Sequence, residues 1–215
     1  MVKGFFITGT DTNIGKTVVS AILVNKFQGI YWKPIQCGTD SFGKKDSEII
    51  EKLCDQKQII EEFFFLKKPL SPNIASNIEN IKIKINDFKG FQKFKYKNTI
   101  IIEGAGGLNV PINNSQLMVD LMKFIDLPVI LVSRTKLGTI NHTLMSLEII
   151  KKKKINLKGI IFVGNDEPNT IRTIKEFGKI IFKREVDILG RVPIVKNLNK
   201  KKIKEFEKLI EFNKR

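Results

Sequence analysis

A parallel α/β sheet flanked by helices on both faces is the fold this sequence predicts, and three observations carry it. Apolar, β-rich runs recur along the 215 residues, and most are continuous instead of alternating, as expected for strands buried on both faces. Helical patterns lie between them, which implies right-handed crossovers and parallel pairing. A glycine-rich turn joins the first apolar run to the first helix.

Taken in order, the predicted strands are Lys3–Thr8, Gly29–Pro34, Asn98–Glu103, Pro128–Val132, Leu157–Val163 and a weaker one at Ile188–Val192. The predicted helices are Lys16–Phe27, Ser47–Cys54, Leu117–Phe124, Ile140–Lys151, Thr170–Phe177 and a charged closing helix, Lys200–Phe212. Pro69-Leu70-Ser71-Pro72-Asn73 reads as a stiff loop that starts a helix. Internal repeats, linkers and low-complexity tails are absent from the pattern, so a single domain over residues 1–215 is expected.

Composition narrows the function class. Hydrophobic residues make up 42%, enough for a core and against disorder. No apolar run approaches the length of a membrane span, and MVKGFFITGTDT lacks the build of a secretory leader, so a cytoplasmic protein is expected. Two cysteines, Cys37 and Cys54, are too few for a disulfide scaffold. The net charge of +16 suggests nucleic acid, yet only Arg134, Arg172, Arg184, Arg191 and Arg215 of the 38 basic residues are arginine. The lysines are scattered and no arginine–aromatic stripe accompanies them, so they read as solvated helix surface and no nucleic-acid partner is expected.

In a sheet of this type the ligand lies at the carboxyl ends of the strands, and the loops there carry unusual residues. The first is Gly9-Thr10-Asp11-Thr12-Asn13-Ile14-Gly15-Lys16-Thr17, a P-loop whose glycines stand one residue further apart than in the common form. Backbone N–H groups at the helix start cradle phosphate, Lys16 reaches the β- and γ-phosphates, and the Thr17 hydroxyl ligates Mg²⁺. The fold expected is therefore a P-loop NTPase-like sheet, with ATP as co-substrate.

After the third strand, Glu103 stands where a carboxylate holds Mg²⁺ beside a P-loop, and the glycines of Gly104-Ala105-Gly106-Gly107 let backbone approach the phosphates. Asp46 is a further metal candidate, with a helix N-cap equally open to it. Lys33, at the end of the second strand, is either a cation for transferring charge or a strand-end lysine reaching for water. Asn165, in Gly164-Asn165-Asp166, can both donate to and accept from a base edge. The lone His142 has no sequence partner for a catalytic dyad and reads as a structural residue at a helix start. Lys136-Leu137-Gly138-Thr139-Ile140-Asn141 also opens a helix whose first N–H groups suit a carboxylate, the alternative being an ordinary start capped by Thr139.

Together these segments resemble the dethiobiotin synthetase family. The pieces are GTDTNIGKT, YWKPIQCG, PLSPNIAS, IIIEGAGGLNVP, LPVILVSRTKLGTINH, IIFVGND and LGRVP, spread over about residues 1–195 in the family's order. The resemblance implies ring-closing carboxylation of 7,8-diaminononanoate with CO₂ and ATP, through a carbamate and a carbamic–phosphoric anhydride. Carried over by motif, Asn13, Ile14, Gly15, Lys16, Thr17 and Val18 hold the triphosphate, joined by Glu103 and Gly106. Thr17, Asp46 and Glu103 surround Mg²⁺, and Lys33 is the catalytic cation, sharing that charge with Lys16. Asn165 and Asp166, with Pro193, Ile194 and Val195, frame adenine. Thr10, Lys33, Cys37, Ser71 and Pro72 contact substrate, as do Gly138, Thr139, Ile140 and Asn141 from the partner subunit of a homodimer.

Three departures from the family pattern stand out: Cys37 where serine or threonine is usual, Asn73 where histidine often follows Ser-Pro, and a clipped loop between Gly38 and Asp46. Two nucleotide-binding rivals are less well matched. A MinD/ParA-like switch carries a second lysine early in its P-loop, where this chain has Thr10 and Asp11. The amide-forming synthetases of cobalamin assembly usually carry an added glutaminase domain.

Overall fold

The computed structural model describes residues 3–55, 58–93 and 98–212. Its centre is a seven-stranded, wholly parallel sheet in the order β4-β2-β6-β1-β7-β8-β9. These strands are β1 (Gly4–Gly9), β2 (Ile30–Trp32), β4 (Ile59–Ile60), β6 (Ile100–Glu103), β7 (Val129–Arg134), β8 (Leu157–Val163) and β9 (Ile188–Val192). A separate parallel pair, β3 (Ile35–Cys37) with β5 (Phe64–Leu66), forms where the chain leaves β2 through Lys33-Pro34.

Helices α1 (Lys16–Phe27), α2 (Asp46–Leu53) and α7 (Lys200–Phe206) cover one face. Helices α4 (Met118–Ile125), α5 (Thr139–Lys152) and α6 (Pro168–Phe182) cover the other, and α3 (Pro72–Ile78) packs by β3 and β5. Successive strand residues point to opposite sides, so each buried run feeds two cores. Phe6, Leu131 and Phe162 pack towards α4, α5 and α6, while Ile7, Val132 and Ile161 pack towards α1, α2 and α7. That double burial explains why these strands read as unbroken apolar runs.

The six expected strands are present within a few residues of their expected bounds, and Ile188–Val192 matches its own. One expectation is corrected. The closing helix stops at Phe206 and passes through a 3-10 turn, Glu207–Leu209, into an extended segment. There Ile210 bridges Gly190 antiparallel, and Glu211 donates its N–H to the Leu189 carbonyl at 2.8 Å. Burial wins over helical propensity here. Ile210 is wholly buried, and the Phe212 ring sits 5.3 Å from Phe5 and 5.2 Å from Phe27. The close approach requires glycine at 190, since a Cβ there would lie 2.0 Å from the Leu209 carbonyl oxygen.

Candidate functional site

The P-loop leaves β1 at Gly9 and closes at Gly15, the residue before α1. Gly15 has φ 99° and lies against Val163, so only glycine meets both demands without strain. No acidic residue occupies the first turn of α1, which leaves its N-terminal amides to an anion. Ile14 is buried as the loop's anchor, while Asn13 is exposed and Thr17 and Val18 are half-buried. The Lys16 side chain curls back over the loop, its Nζ donating to the Asp11 carbonyl at 2.7 Å. Burial, reinforced by the charge of Lys33 and opposed by Glu103, brings its pKa down to about 8.

Beside the loop lies a buried knot of charge. Glu103, 1% exposed at the end of β6, accepts four hydrogen bonds. Ser20 Oγ at 2.8 Å and Tyr31 OH at 3.0 Å take Oε2, while Thr17 Oγ1 at 3.0 Å and Lys33 Nζ at 3.4 Å take Oε1. The same Lys33 ammonium is bonded to the Asp46 carboxylate. Burial alone lowers a lysine's pKa, yet the Glu103 and Asp46 charges outweigh it and hold Lys33 above its ordinary value. Lys33 is only 6% exposed, so it does not reach for water. Asp46 is the first residue of α2, and the preceding Lys45 is the cap, its N–H donating to Glu48 at 2.7 Å. Asp46 is therefore not the N-cap of α2, and its carboxylate is bonded to the Lys33 ammonium.

This donor set suits one kind of cation. Thr17, Asp46 and Glu103 offer only hard oxygens, and Lys33 already places a positive charge between the two carboxylates. Among the described residues no three His, Cys, Asp or Glu side chains cluster as a metal cage. A hydroxyl and two carboxylates leave positions for phosphate oxygens and water, the arrangement Mg²⁺ prefers.

The remaining residues sit on loops at the same end of the sheet. Gly107 presses on the P-loop, where a Cβ would lie 3.2 Å from the Gly9 carbonyl oxygen, and Gly106 turns the chain at φ 66°. Thr10 donates its N–H to Val132 at 3.1 Å. Cys37 ends β3, half-buried, its thiol pushed up to about 11 by burial. The next residue, Gly38, lies against Pro69, which brings Cys37 towards the loop of Ser71 and Pro72. There Ser71 Oγ donates to Asn73 Oδ1 at 2.7 Å. Asn165 is exposed after β8, and its loop is held by Arg191, which pairs with Asp166 at 3.3 Å and donates to the Gly164 carbonyl at 2.9 Å. Pro193, Ile194 and Val195 follow the adjacent strand β9.

The segment from Gly138 to Asn141 opens α5. Thr139 points inwards, its Oγ1 donating to the Arg134 carbonyl at 2.6 Å, while Ile140 is half-buried and Asn141 and His142 are exposed.

Comparison with known proteins matches this arrangement. Residues 3–202 fit a family model described as an AAA domain. A curated ATP-dependent dethiobiotin synthetase BioD from Christiangramia forsetii is 40% identical over 220 residues, covering 100% of this chain and 98% of that protein. The chain belongs to the dethiobiotin synthetase family. A second member, from Paramagnetospirillum magneticum, is 38% identical over 190 residues, covering 88% of this chain and 90% of that protein. Among solved structures, the septum site-determining protein MinD from Pyrococcus horikoshii, complexed with Mg-ADP, superposes with a TM-score of 0.52. It covers 95% of this chain and 86% of its own at 16% identity, a likeness of P-loop fold alone.

Three side chains that the family motifs did not single out belong to the site. Ser20 lies four residues after Lys16, one helical turn along the same face of α1. Tyr31 lies two residues before Lys33, on the same side of an extended chain. Either spacing could have found them. Arg134, whose guanidinium donates to the Asn13 carbonyl, had no such signal.

Proposed function

We propose that this chain is one synthetase domain that closes the ureido ring of dethiobiotin from 7,8-diaminononanoate, CO₂ and ATP, with Mg²⁺ as cofactor. The observation that carries the reading is the buried Lys33–Asp46–Glu103 group lying against Lys16 and Thr17 of the P-loop. Family membership and the two lysines beside the P-loop, Lys33 and Lys16, support phosphoryl transfer to a small acidic acceptor.

In this reading one amine of the substrate carries CO₂ as a carbamate. A carbamate oxygen forms a bond to the γ-phosphorus as the bond to the β–γ bridging oxygen breaks, and ADP leaves. The second amine then attacks the carbonyl carbon of the mixed anhydride. Phosphate departs with the electron pair, the amine loses its proton, and the five-membered ring is closed. Lys33 faces the carbamate and γ-phosphate, where its fixed ammonium counters charge that develops only during transfer. Lys16 shares that charge from the P-loop. Thr17, Asp46 and Glu103 would hold Mg²⁺, which supplies neutralisation of the phosphate oxygens.

The amides of residues 13–18, with Gly106, cradle the triphosphate. The Asn165 amide, beside Asp166 and the Pro193–Val195 backbone, faces adenine. Thr10, Cys37, Ser71 and Pro72 line the substrate side. A thiol with a pKa of about 11 stays protonated at neutral pH, so Cys37 serves as a weak donor and not as a nucleophile. The α5 amino terminus, Gly138 to Asn141, takes the substrate's distant carboxylate from a second copy of the chain in a two-fold dimer.

The test is incubation of the protein with diaminononanoate, bicarbonate and Mg-ATP, followed by mass detection of dethiobiotin. ATP hydrolysis without that product points to a nucleotide switch and sinks the synthetase reading. Mixing Lys16→Ala protein with Thr139→Pro/Asn141→Asp protein tests the shared site. Activity should return once subunits exchange, and a mixture that stays dead after verified exchange refutes it.

A further inference from the structure

Arg134 stands apart from every residue given a role above. It is the last residue of β7, and β7 lies between β1 and β8 in the sheet. The P-loop follows β1, and Asn165 follows β8. Gly15 packs on Val163, the last residue of β8 and the one that Arg134 faces in register. The closing end of the P-loop therefore spans from β1 across to β8. A nucleotide with its phosphates on the loop and its base at Asn165 must cross the end of β7.

Two features prepare Arg134 for that crossing. Its backbone is fixed, because Thr139 Oγ1 donates to its carbonyl at 2.6 Å. Its half-buried side chain is aimed at the loop, with Nη2 donating to the carbonyl of Asn13. Among the described residues no carboxylate pairs with it, whereas neighbouring Arg191 is paired with Asp166. A guanidinium has five N–H donors and a flat face, and one bond to Asn13 leaves most of both free.

We propose that Arg134 underlies the nucleoside half of the nucleotide, offering its plane and remaining N–H groups to the ribose and purine. This rests on the nucleotide reading of the P-loop and Asn165. The competing explanation is that Arg134 only pins the loop through Asn13, and the two differ in what they do to phosphate alone.

The test measures affinities of ADP and of inorganic tripolyphosphate for wild-type and Arg134→Met protein, by displacement of a fluorescent ATP analogue. ADP should weaken about tenfold, the scale of a guanidinium over a π-face, while tripolyphosphate stays within about twofold. Equal weakening of both ligands overturns the proposal in favour of loop pinning. Unchanged affinity for both overturns it outright. Arg134→Lys provides the same comparison with the charge kept and the plane removed, should the methionine variant fold poorly. Wild-type protein that binds neither ligand refutes the nucleotide reading itself, a result distinct from any effect of Arg134.

Discussion

Replacing Lys33 with methionine separates the roles of its buried charge. The side chain is 8% exposed and its ammonium joins Asp46 to Glu103, themselves 21% and 1% exposed as side chains. Lys33→Met keeps most of the volume but leaves two carboxylates facing each other with no cation between them. Removing one partner of a buried ion pair costs about 3–5 kcal/mol. In a chain of this size each kcal/mol moves the melting midpoint by about 2–4 °C, so Tm should fall by about 6–20 °C.

Mg²⁺ should then recover much of the loss. In wild-type protein the ammonium already neutralises the carboxylates, so Mg²⁺ without nucleotide should raise Tm only slightly. In Lys33→Met the metal meets no competing charge, and at about a hundredfold over its Kd it adds about 2.7 kcal/mol, or about 5–11 °C. Scanning calorimetry over a MgCl₂ series at constant ionic strength measures both. Equal, small responses in the two proteins would show that Asp46 and Glu103 serve Lys33 alone, and the metal assignment would fall. Turnover provides the second readout, with a loss of about 10² or more expected for a group that acts on transition-state charge.

Three other outcomes follow from the same geometry. Glu103→Gln and Asp46→Asn should each raise the Mg²⁺ concentration needed for half-maximal rate by about 10-fold or more, and an unchanged requirement in both makes these carboxylates structural. Asn165→Ala should narrow the gap in kcat/KM between ATP and GTP, and a preference the substitution leaves untouched discards Asn165 as the base reader. Lys16 has a pKa of about 8 in the nucleotide-free protein, so it is charged below that pH and increasingly neutral above it. Bound phosphate favours the charged form, so ADP affinity should decline as pH rises past 8, with proton uptake on binding. Calorimetry at pH 8.5 in buffers of different ionisation enthalpy reads that uptake, and a buffer-independent heat contradicts it.

The parts of this molecule legible in its sequence are those set by local spacing. Strands such as Ile100–Glu103 announced themselves because both of their faces are buried and no polar residue interrupts them. Lys16 and Thr17 followed from the glycine turn ahead of a helix, and Glu103 from its place at a strand end. What escaped was either too short to show a period or decided by distant chain. The edge strand Ile59–Ile60 has two residues, and Ile35–Cys37 has three and follows a proline. The partnership of Lys33 with Asp46, 13 residues on, depends on how the clipped loop returns, which no local rule fixes. The same holds for the end of the chain. The run after Phe206 keeps a helical composition, yet the docking of Ile210 and Phe212 against β9 and α1 draws it straight.

The chain has a single tryptophan, and the fold has put it immediately before Lys33. Trp32 is 5% exposed, stacked on Phe91 at 5.2 Å between ring centroids, and its indole N–H donates to the Glu61 carbonyl at 3.2 Å. Its emission therefore comes from one place, the bend where the chain leaves the central sheet carrying Lys33. Any rearrangement that moves this bend as ligands fill the site changes the ring stack and the polarity around the indole together. The protein thus has a built-in optical reporter beside its buried charges, readable in stopped-flow experiments without labelling a single residue.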